Sequence, residues 1–535
     1  MAGPFWGSSM VGEGFYDFAV VGSGFGGSVA AMRLAEKGYR VLVLEEGLRW
    51  EDRDFPPHNR NPFRYIWAPR FFMRGYFRIH FFRGLGLLGG VGVGGGSLVY
   101  ANVHLVPPDT FFQGFPPGKD WKAELMPFYE RARFMLGTTP CPVETRADEA
   151  LKEGARRLGV EDTFHPVDVG VFFGEPEEKV PDPYFGGLGP DRVGCTLCGN
   201  CMTGCRVGAK NTLLKNYLYF AQKYGARIVS ERRVVDILQE EGGYTLVAVP
   251  GGPGSFKRIK YRAQKVVLAA GVVGTLKLLF ALGMKERLQL PSDLGRGVRT
   301  NSESLLGIRK PSKDVNFSEG LAITSGVYLD DVTHVEVVRY GEGSDGLAPL
   351  AFPLAEGENL WARLRGLFSQ LAGSPGRLLR AMKPRGWARE TIILLVMQTV
   401  DNMLKMGAKR GLTGRIKLKI SPEEGHERAP VFIPGAHSFA RTMAEVLDAM
   451  PFTNIYEAIF NSSFTAHILG GCCMGRVVDE DLRLLGHEDF YVVDASVIPS
   501  NLGVNPSLTI TALAEYAMEK IPFKKGFGRD KILSD

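Results

Sequence analysis

The sequence predicts an α/β fold: a parallel sheet wound with helices, joined to a second sheet that is mainly antiparallel. Three observations lead there. The chain opens with an apolar run at 16–21 (YDFAVV), a glycine turn, an alanine-rich helical stretch to Lys37, and a second apolar run in YRVLVLEEG, which together read as strand, helix, strand. Strand-like apolar runs return far downstream, in RIVSERRVVDILQEE, in KVVLAAG at 265–271 and in FYVVD at 490–494. Between them, 323–340 and 414–432 alternate polar and apolar residues, the pattern of antiparallel strands in a substrate-facing sheet.

Length and composition bound the rest. A chain of 535 residues is too long for one core. Its 64 basic and 58 acidic residues leave a net charge of +6, too thin a surplus for a nucleic-acid-binding surface. No basic-then-apolar leader stands in MAGPFWGSSMVGEGFYDF, and four of the seven cysteines crowd into one short loop, so a cytoplasmic protein with reduced thiols is expected. The uncharged stretch GLGLLGGVGVGGGSLVYANV (84–103) is long enough to span a membrane, but its eight glycines make a poor helix and a ligand-binding loop instead.

Taken in order, the first turn carries the first motif. Gly22, Gly24 and Gly27 give G-x-G-x-x-G, which lets the helix start meet a pyrophosphate with its unpaired N–H groups, and Glu45 ends the second strand where it can bond ribose hydroxyls. This is a Rossmann-like dinucleotide site, and the residues alone leave FAD and NAD open. The region 140–190 is rich in Pro, Gly and acids. A cysteine ladder follows, then a helical spacing in NTLLKNYLYFAQKYG that leads back to the strands of the first sheet. The chain ends on the late strand FYVVD, a glycine turn and the helix SLTITALAEYAMEKI.

GVGGGSLVYAN (92–102), HILGGCCMG (467–475) and VVDASVIPSNLGVNPSLTITALAE together resemble the glucose-methanol-choline (GMC) oxidoreductase family, and within it the cholesterol oxidase branch, whose motifs run HPLGGC and GVNPFVTITALAE. The likeness spans nearly the whole chain. It implies an α/β flavoprotein with an FAD-binding domain assembled from discontinuous segments (14–115, 191–305 and 460–525) and a substrate-binding domain (116–190 and 306–459). It implies hydride transfer from an alcohol to flavin. His467 falls on the family's active-site histidine, Asn505 on its partner asparagine, and Glu390 on the carboxylate that the branch uses as a base. Gly95, Gly96 and Ser97 match the flavin-contacting glycine loop, Gly271 the AAG turn, and Asp494 the strand end beside FAD.

The residue types suit the chemistry, since an alcohol loses a proton from oxygen while its carbon gives hydride, and a histidine or carboxylate in hydrogen-bond reach assists. Each also has a plainer reading: His467 a buried structural histidine, Asn505 a helix cap, Glu390 a solvated partner of Arg389. Ile468 replaces the family's proline and VYANV replaces VNGGM, which touches the substrate pocket more than the flavin site.

Cys195, Cys198, Cys201 and Cys205 have the C-x2-C-x2-C-x3-C spacing of iron–sulfur ferredoxins, although Arg206 stands where those have proline. The loop also resembles that of iron–sulfur-containing FAD-dependent glucose dehydrogenases. A 4Fe-4S or 3Fe-4S cluster, a zinc ion and unmetallated thiols are all open readings. Cys472 and Cys473 read as packed thiols. The stretch 360–385 mixes Trp361, Leu364 and Phe368 with several arginines; an insertion packed on the protein with a solvated basic face is favoured over peripheral membrane contact, because Gly373, Ser374 and Pro375 interrupt it.

The resulting expectation is FAD-dependent oxidation of a bulky, lipophilic, sterol-like or terpenoid alcohol, with electrons passing to oxygen or, through a cluster, to an external acceptor. A sugar or polyol dehydrogenase and a non-catalytic electron-transfer flavoprotein stand as alternatives.

Overall fold

The computed structural model describes residues 10–252, 257–357, 361–363, 365, 375–411 and 416–528. Strand β1 (Met10–Val21) lies at the centre of the first sheet, paired in parallel with β2 (Val41–Leu44) on one side and with Ile259–Leu268 on the other. Arg227–Val229 extends the parallel set beyond β2. Ile259–Leu268 is used twice along its length: its first half pairs antiparallel with Gly243–Pro250, and its second half pairs in parallel with Phe490–Val492. Arg232–Glu240 completes the sheet. The near-continuous apolar run VLVL in β2 is fully buried, as a parallel strand covered on both faces must be.

Helix α1 (Phe25–Glu36) ends at Lys37 and Gly38, where Gly38 at φ +84° and bonds back to Ala35 and Leu34 carbonyls close the last turn. It is buried almost all round because it lies between this sheet and the C-terminal helix Ser507–Glu519, to which Arg33 is tied by a 2.8 Å ion pair with Glu515.

The second sheet is wholly antiparallel, with strand order Ala351–Pro353, Met450–Asn454, Ser304–Arg309, Thr391–Gln398, Thr333–Val338, Ile323–Tyr328, His165–Pro166. Helices Arg146–Leu158 and Pro434–Val446 cover one face and form a separate core with it. The alternation at 323–340 resolves into a hairpin of this sheet. The alternation at 414–432 does not join it: Ile416–Pro422 pairs only with Leu404–Arg410, and Leu404, Met406, Leu418 and Ile420 pack on the first core. A two-way bridge between Val298 and Leu404 draws that hairpin across.

A third, small sheet sets up the site. Leu85–Gly90 runs in parallel beside Ser463–Thr465, so the glycine loop after the first and His467 after the second leave at the same end. Among the described residues no helix is long and apolar enough to cross a membrane. Of the stretch 360–385, positions 360, 364 and 366–374 lie outside the described residues. Within its described part Trp361 is exposed and Arg363 buried, and the helix Pro375–Ala381 buries Leu378 and Ala381, while Arg309 donates to the carbonyls of Ala381, Lys383 and Arg385.

Candidate active site

The β1–α1 turn is built by close approach. A Cβ at Gly22 (φ +97°) would lie 2.3 Å from the Ala269 carbonyl, one at Gly27 2.2 Å from the Gly22 carbonyl, and one at Gly26 only 1.7 Å from the Val493 carbonyl. Gly24 differs, since a Cβ there meets nothing within 4 Å. The space in front of the helix start is open, as a pyrophosphate requires. Glu45 is buried, which pushes its carboxyl up, and it accepts from Ser23 N (3.1 Å), Ser23 Oγ (2.8 Å) and Gly47 N (2.9 Å).

Ser23 joins this fingerprint to the glycine loop, because its hydroxyl also accepts from Gly94 N at 3.2 Å. Gly95, at φ +51°, would clash with Gly24 if it carried a Cβ, and Gly96 faces the Phe25 ring. Ser97 spends its hydroxyl on the loop, donating to Gly94 O and accepting from Leu213 N. Gly271, at φ +70° and exposed, opens helix Gly271–Gly283. Beside it Asp494, pushed up by burial, accepts from Thr275 Oγ1 and Ser496 N. The expected cofactor residues thus gather around the turn, and the open side of Gly24 at the helix start with Glu45 behind it suits a dinucleotide such as FAD.

At the His467 end lie four groups. His467 Nδ1 is 2.5 Å from Glu303 Oε1, and Glu303 Oε2 accepts from Ala466 N (2.7 Å) and His467 N (3.3 Å). Burial pulls the His467 imidazole down, yet the Glu303 charge and hydrogen bond, helped by Glu336, lift it above its ordinary value. Asn505 Nδ2 donates to Glu336 Oε2 at 3.2 Å. Burial pushes Glu336 up to about 8 against that hydrogen bond and the His467 charge. Glu336 Oε1, Asn505 Oδ1 and Thr300 Oγ1 are buried with no partner in the protein. Unpartnered buried polar atoms are costly and rare, so their concentration here marks a place for a bound molecule.

Glu390 is not in this cluster. It ends the short helix Trp387–Glu390 and pairs with Arg309 at 2.7 Å. In the antiparallel register Thr391 faces Arg309 while Val396 faces Ser304, so Glu390 sits at the opposite end of the strands from Glu303, roughly 24 Å away at about 3.4 Å per residue. The carboxylates that do reach the cluster, Glu303 and Glu336, were missed. For Glu336 a signal existed: an acid at the centre of the fully buried strand Thr333–Val338. Glu303 has none in its local sequence.

Of the three readings of the cysteine ladder, the arrangement of the side chains fits unmetallated thiols. Among the described residues no group of three or more His, Cys, Asp or Glu side chains is placed to hold a metal ion. Cys198 is exposed, and Cys195, Cys201 and Cys205 pack against the Val103, Val171, Leu321 and Met397 core. Burial pushes Cys195 up to about 12 and Cys201 to about 11. The backbone is held independently, by Gly199 N to Gly320 O, Gly320 N to Leu197 O, and buried Lys210 donating to the carbonyls of Cys201, Tyr100 and Leu98. Cys472 and Cys473 are buried, as expected.

A dinucleotide cleft that meets a buried histidine–asparagine–carboxyl cluster defines a flavin-dependent alcohol oxidoreductase. Residues 188–300 and 393–514 match the GMC oxidoreductase family, and 20–79 match an NAD(P)-binding Rossmann-like domain. The chain is 44% identical to a cholesterol oxidase of Acinetobacter baumannii, over 95% of both chains, and 42% identical to one of Mycobacterium tuberculosis, over 95% of this chain and 91% of that one. Pyridoxine 4-oxidase from Mesorbium loti superposes over 94% of this chain and 98% of its own, with a TM-score of 0.62 at 18% identity, and shares the fold. The chain belongs to the GMC oxidoreductase family, and it is an FAD-dependent enzyme acting on CH–OH donors.

Proposed function

We propose that the enzyme oxidises a ring hydroxyl of a sterol-like alcohol to the ketone, with dioxygen as the final acceptor. The observation that carries the reading is the buried set of His467, Glu303, Asn505 and Glu336 with its unpartnered oxygens, and the identity to two cholesterol oxidases supports the substrate class. Bound FAD supplies the hydride acceptor and returns the electrons to oxygen. The protein manages the proton.

Glu303 favours the charged form of His467 against the effect of burial, and the imidazole donates a hydrogen bond to the substrate oxygen and stabilises the negative charge that grows there. Glu336, with a free oxygen and a carboxyl near neutrality, takes the hydroxyl proton as the carbon gives up hydride. Asn505 fixes the Glu336 carboxyl and offers its own unpaired Oδ1. Glu336 therefore takes the part that the family resemblance gave to Glu390. The same carboxylate, after passing that proton to solvent, is suited to moving a ring double bond into conjugation with the new ketone, taking a proton from the carbon between them and returning it at the far end of the double bond. The identity to two cholesterol oxidases favours oxygen as acceptor over an exit through the cysteine loop.

The test is anaerobic mixing of the holoenzyme with cholesterol, a long-chain primary alcohol and glucose in turn. Bleaching of the flavin by the sterol, with peroxide formed when oxygen is readmitted, is expected. Bleaching by glucose alone overturns the substrate class.

A further inference from the structure

The turn Arg299-Thr300-Asn301-Ser302-Glu303 grips both halves of the catalytic cluster. Resting on the alcohol-oxidising reading, we propose that Asn301 and Glu303 are positioning residues that set His467 and Asn505 against each other. Asn301 Oδ1 accepts from Leu502 N (3.0 Å) and Gly503 N (2.9 Å), and its Nδ2 donates to Val504 O (3.0 Å). Its own N–H donates to Asn501 Oδ1 at 2.9 Å. The whole side-chain amide is thus spent on the three residues that lead into Asn505.

Two residues on, Glu303 holds the other half through Ala466 N, His467 N and His467 Nδ1. Thr300 O adds a bond from Thr465 Oγ1 at 2.9 Å, and that hydroxyl in turn accepts from His467 N at 2.9 Å.

The backbone of the turn is unusual. Asn301 (φ +57°) and Ser302 (φ +46°) are consecutive left-handed residues other than glycine, and both are fully buried. Such a conformation is strained and persists where its surroundings over-determine it. Ser302 Oγ supplies part of that, bonded to Gln398 Oε1 (3.1 Å) and Asn402 Nδ2 (3.0 Å). The strain turns the chain so sharply that residues 301 and 303 point their side chains to two different loops. A device with this geometry fixes the distance between the two loops, which hydride transfer between aligned reactants requires.

The experiment compares holoenzymes carrying Glu303→Gln, Asn301→Gly and Asn301→Asp with the wild type. Glycine relieves the left-handed strain, so its effect isolates the lost clamp from misfolding. The expected result for Glu303→Gln and Asn301→Gly is bound flavin, a melting temperature near wild type and anaerobic flavin reduction slowed about 10- to 100-fold, as for other residues that orient a functional group. Asn301→Asp keeps both acceptor bonds and recovers most of the rate. The charged groups facing His467 are Glu303 and Glu336, so Glu303→Gln also moves the His467 ionisation to lower pH, read from the ring resonances by NMR titration.

Wild-type rates in both Glu303→Gln and Asn301→Gly, or rate losses that only track melting temperature, overturn the proposal. A wild-type flavin that no sterol bleaches overturns the functional reading alone, and the His467 titration still decides the role of Glu303.

Discussion

His467 stands beside two carboxyl groups that burial treats differently. Glu303 is surrounded by donors, while Glu336 keeps one oxygen without a partner and is pushed up to about 8. If Glu336 takes the substrate proton, the rate of flavin reduction rises with pH through about 8, and Glu336→Gln loses that limb along with most of the rate; stopped-flow reduction between pH 6 and 9 checks both. Stability runs the other way. The folded pKa of Glu336 lies above its unfolded value of about 4.3. Its contribution is therefore fully present below that value and lost as pH rises through about 8. The melting temperature of Glu336→Gln relative to wild type should climb from pH 4.5 to 8 and then level off. Glu390→Gln should leave the limiting rate intact and destabilise by about 1.5–3 kcal/mol in denaturant titration, because buried Arg309 loses its charged partner but keeps three carbonyls. At this scale His467 and Asn505 were legible because they lie inside long motifs. Glu390 misled because only strand register, which no local stretch encodes, decides which end of a sheet a residue occupies.

At the scale of the element, the β1–α1 turn separates two jobs that one fingerprint runs together. Gly26 lies against the Val493 carbonyl with no space for a methyl group, whereas Gly24 faces open space. Gly24→Ala should therefore fold like wild type and lose FAD affinity, while Gly26→Ala should lose soluble protein; flavin content per folded chain, with circular dichroism, distinguishes them. The opening strand–helix–strand unit, the returning strands and the last helix were readable from apolar runs and glycine spacing, which are local signals. The destination of the hairpin Leu404–Arg410 with Ile416–Pro422 was not. Its alternation says that one face is buried and is silent on which core buries it.

For the whole molecule, the question of where electrons go turns on the cysteine loop. Its spacing matched a ferredoxin, but spacing does not fix the direction of the thiols, which follows here from packing of Cys195, Cys201 and Cys205 against the core. Purified holoenzyme should carry one FAD per chain with no stoichiometric iron or labile sulfide, and Cys198→Ser should leave its visible spectrum unchanged; elemental analysis and absorbance measure both.

The pairing of Phe490–Val492 with Ile259–Leu268, and of the first helix with the last, has a consequence for how the protein is made. The dinucleotide turn stands at residues 22–27, yet the Val493 carbonyl that backs it and the helix Ser507–Glu519 that covers it are made far later in synthesis. Domains elsewhere fold as they leave the ribosome. This one can pair its first strands early, but the turn lacks its backing until residue 493 has been made. A chain cut short before residue 490 should therefore keep the glycine turn and Glu45 but lose the carbonyl and the helix that pack against them, and hold flavin poorly.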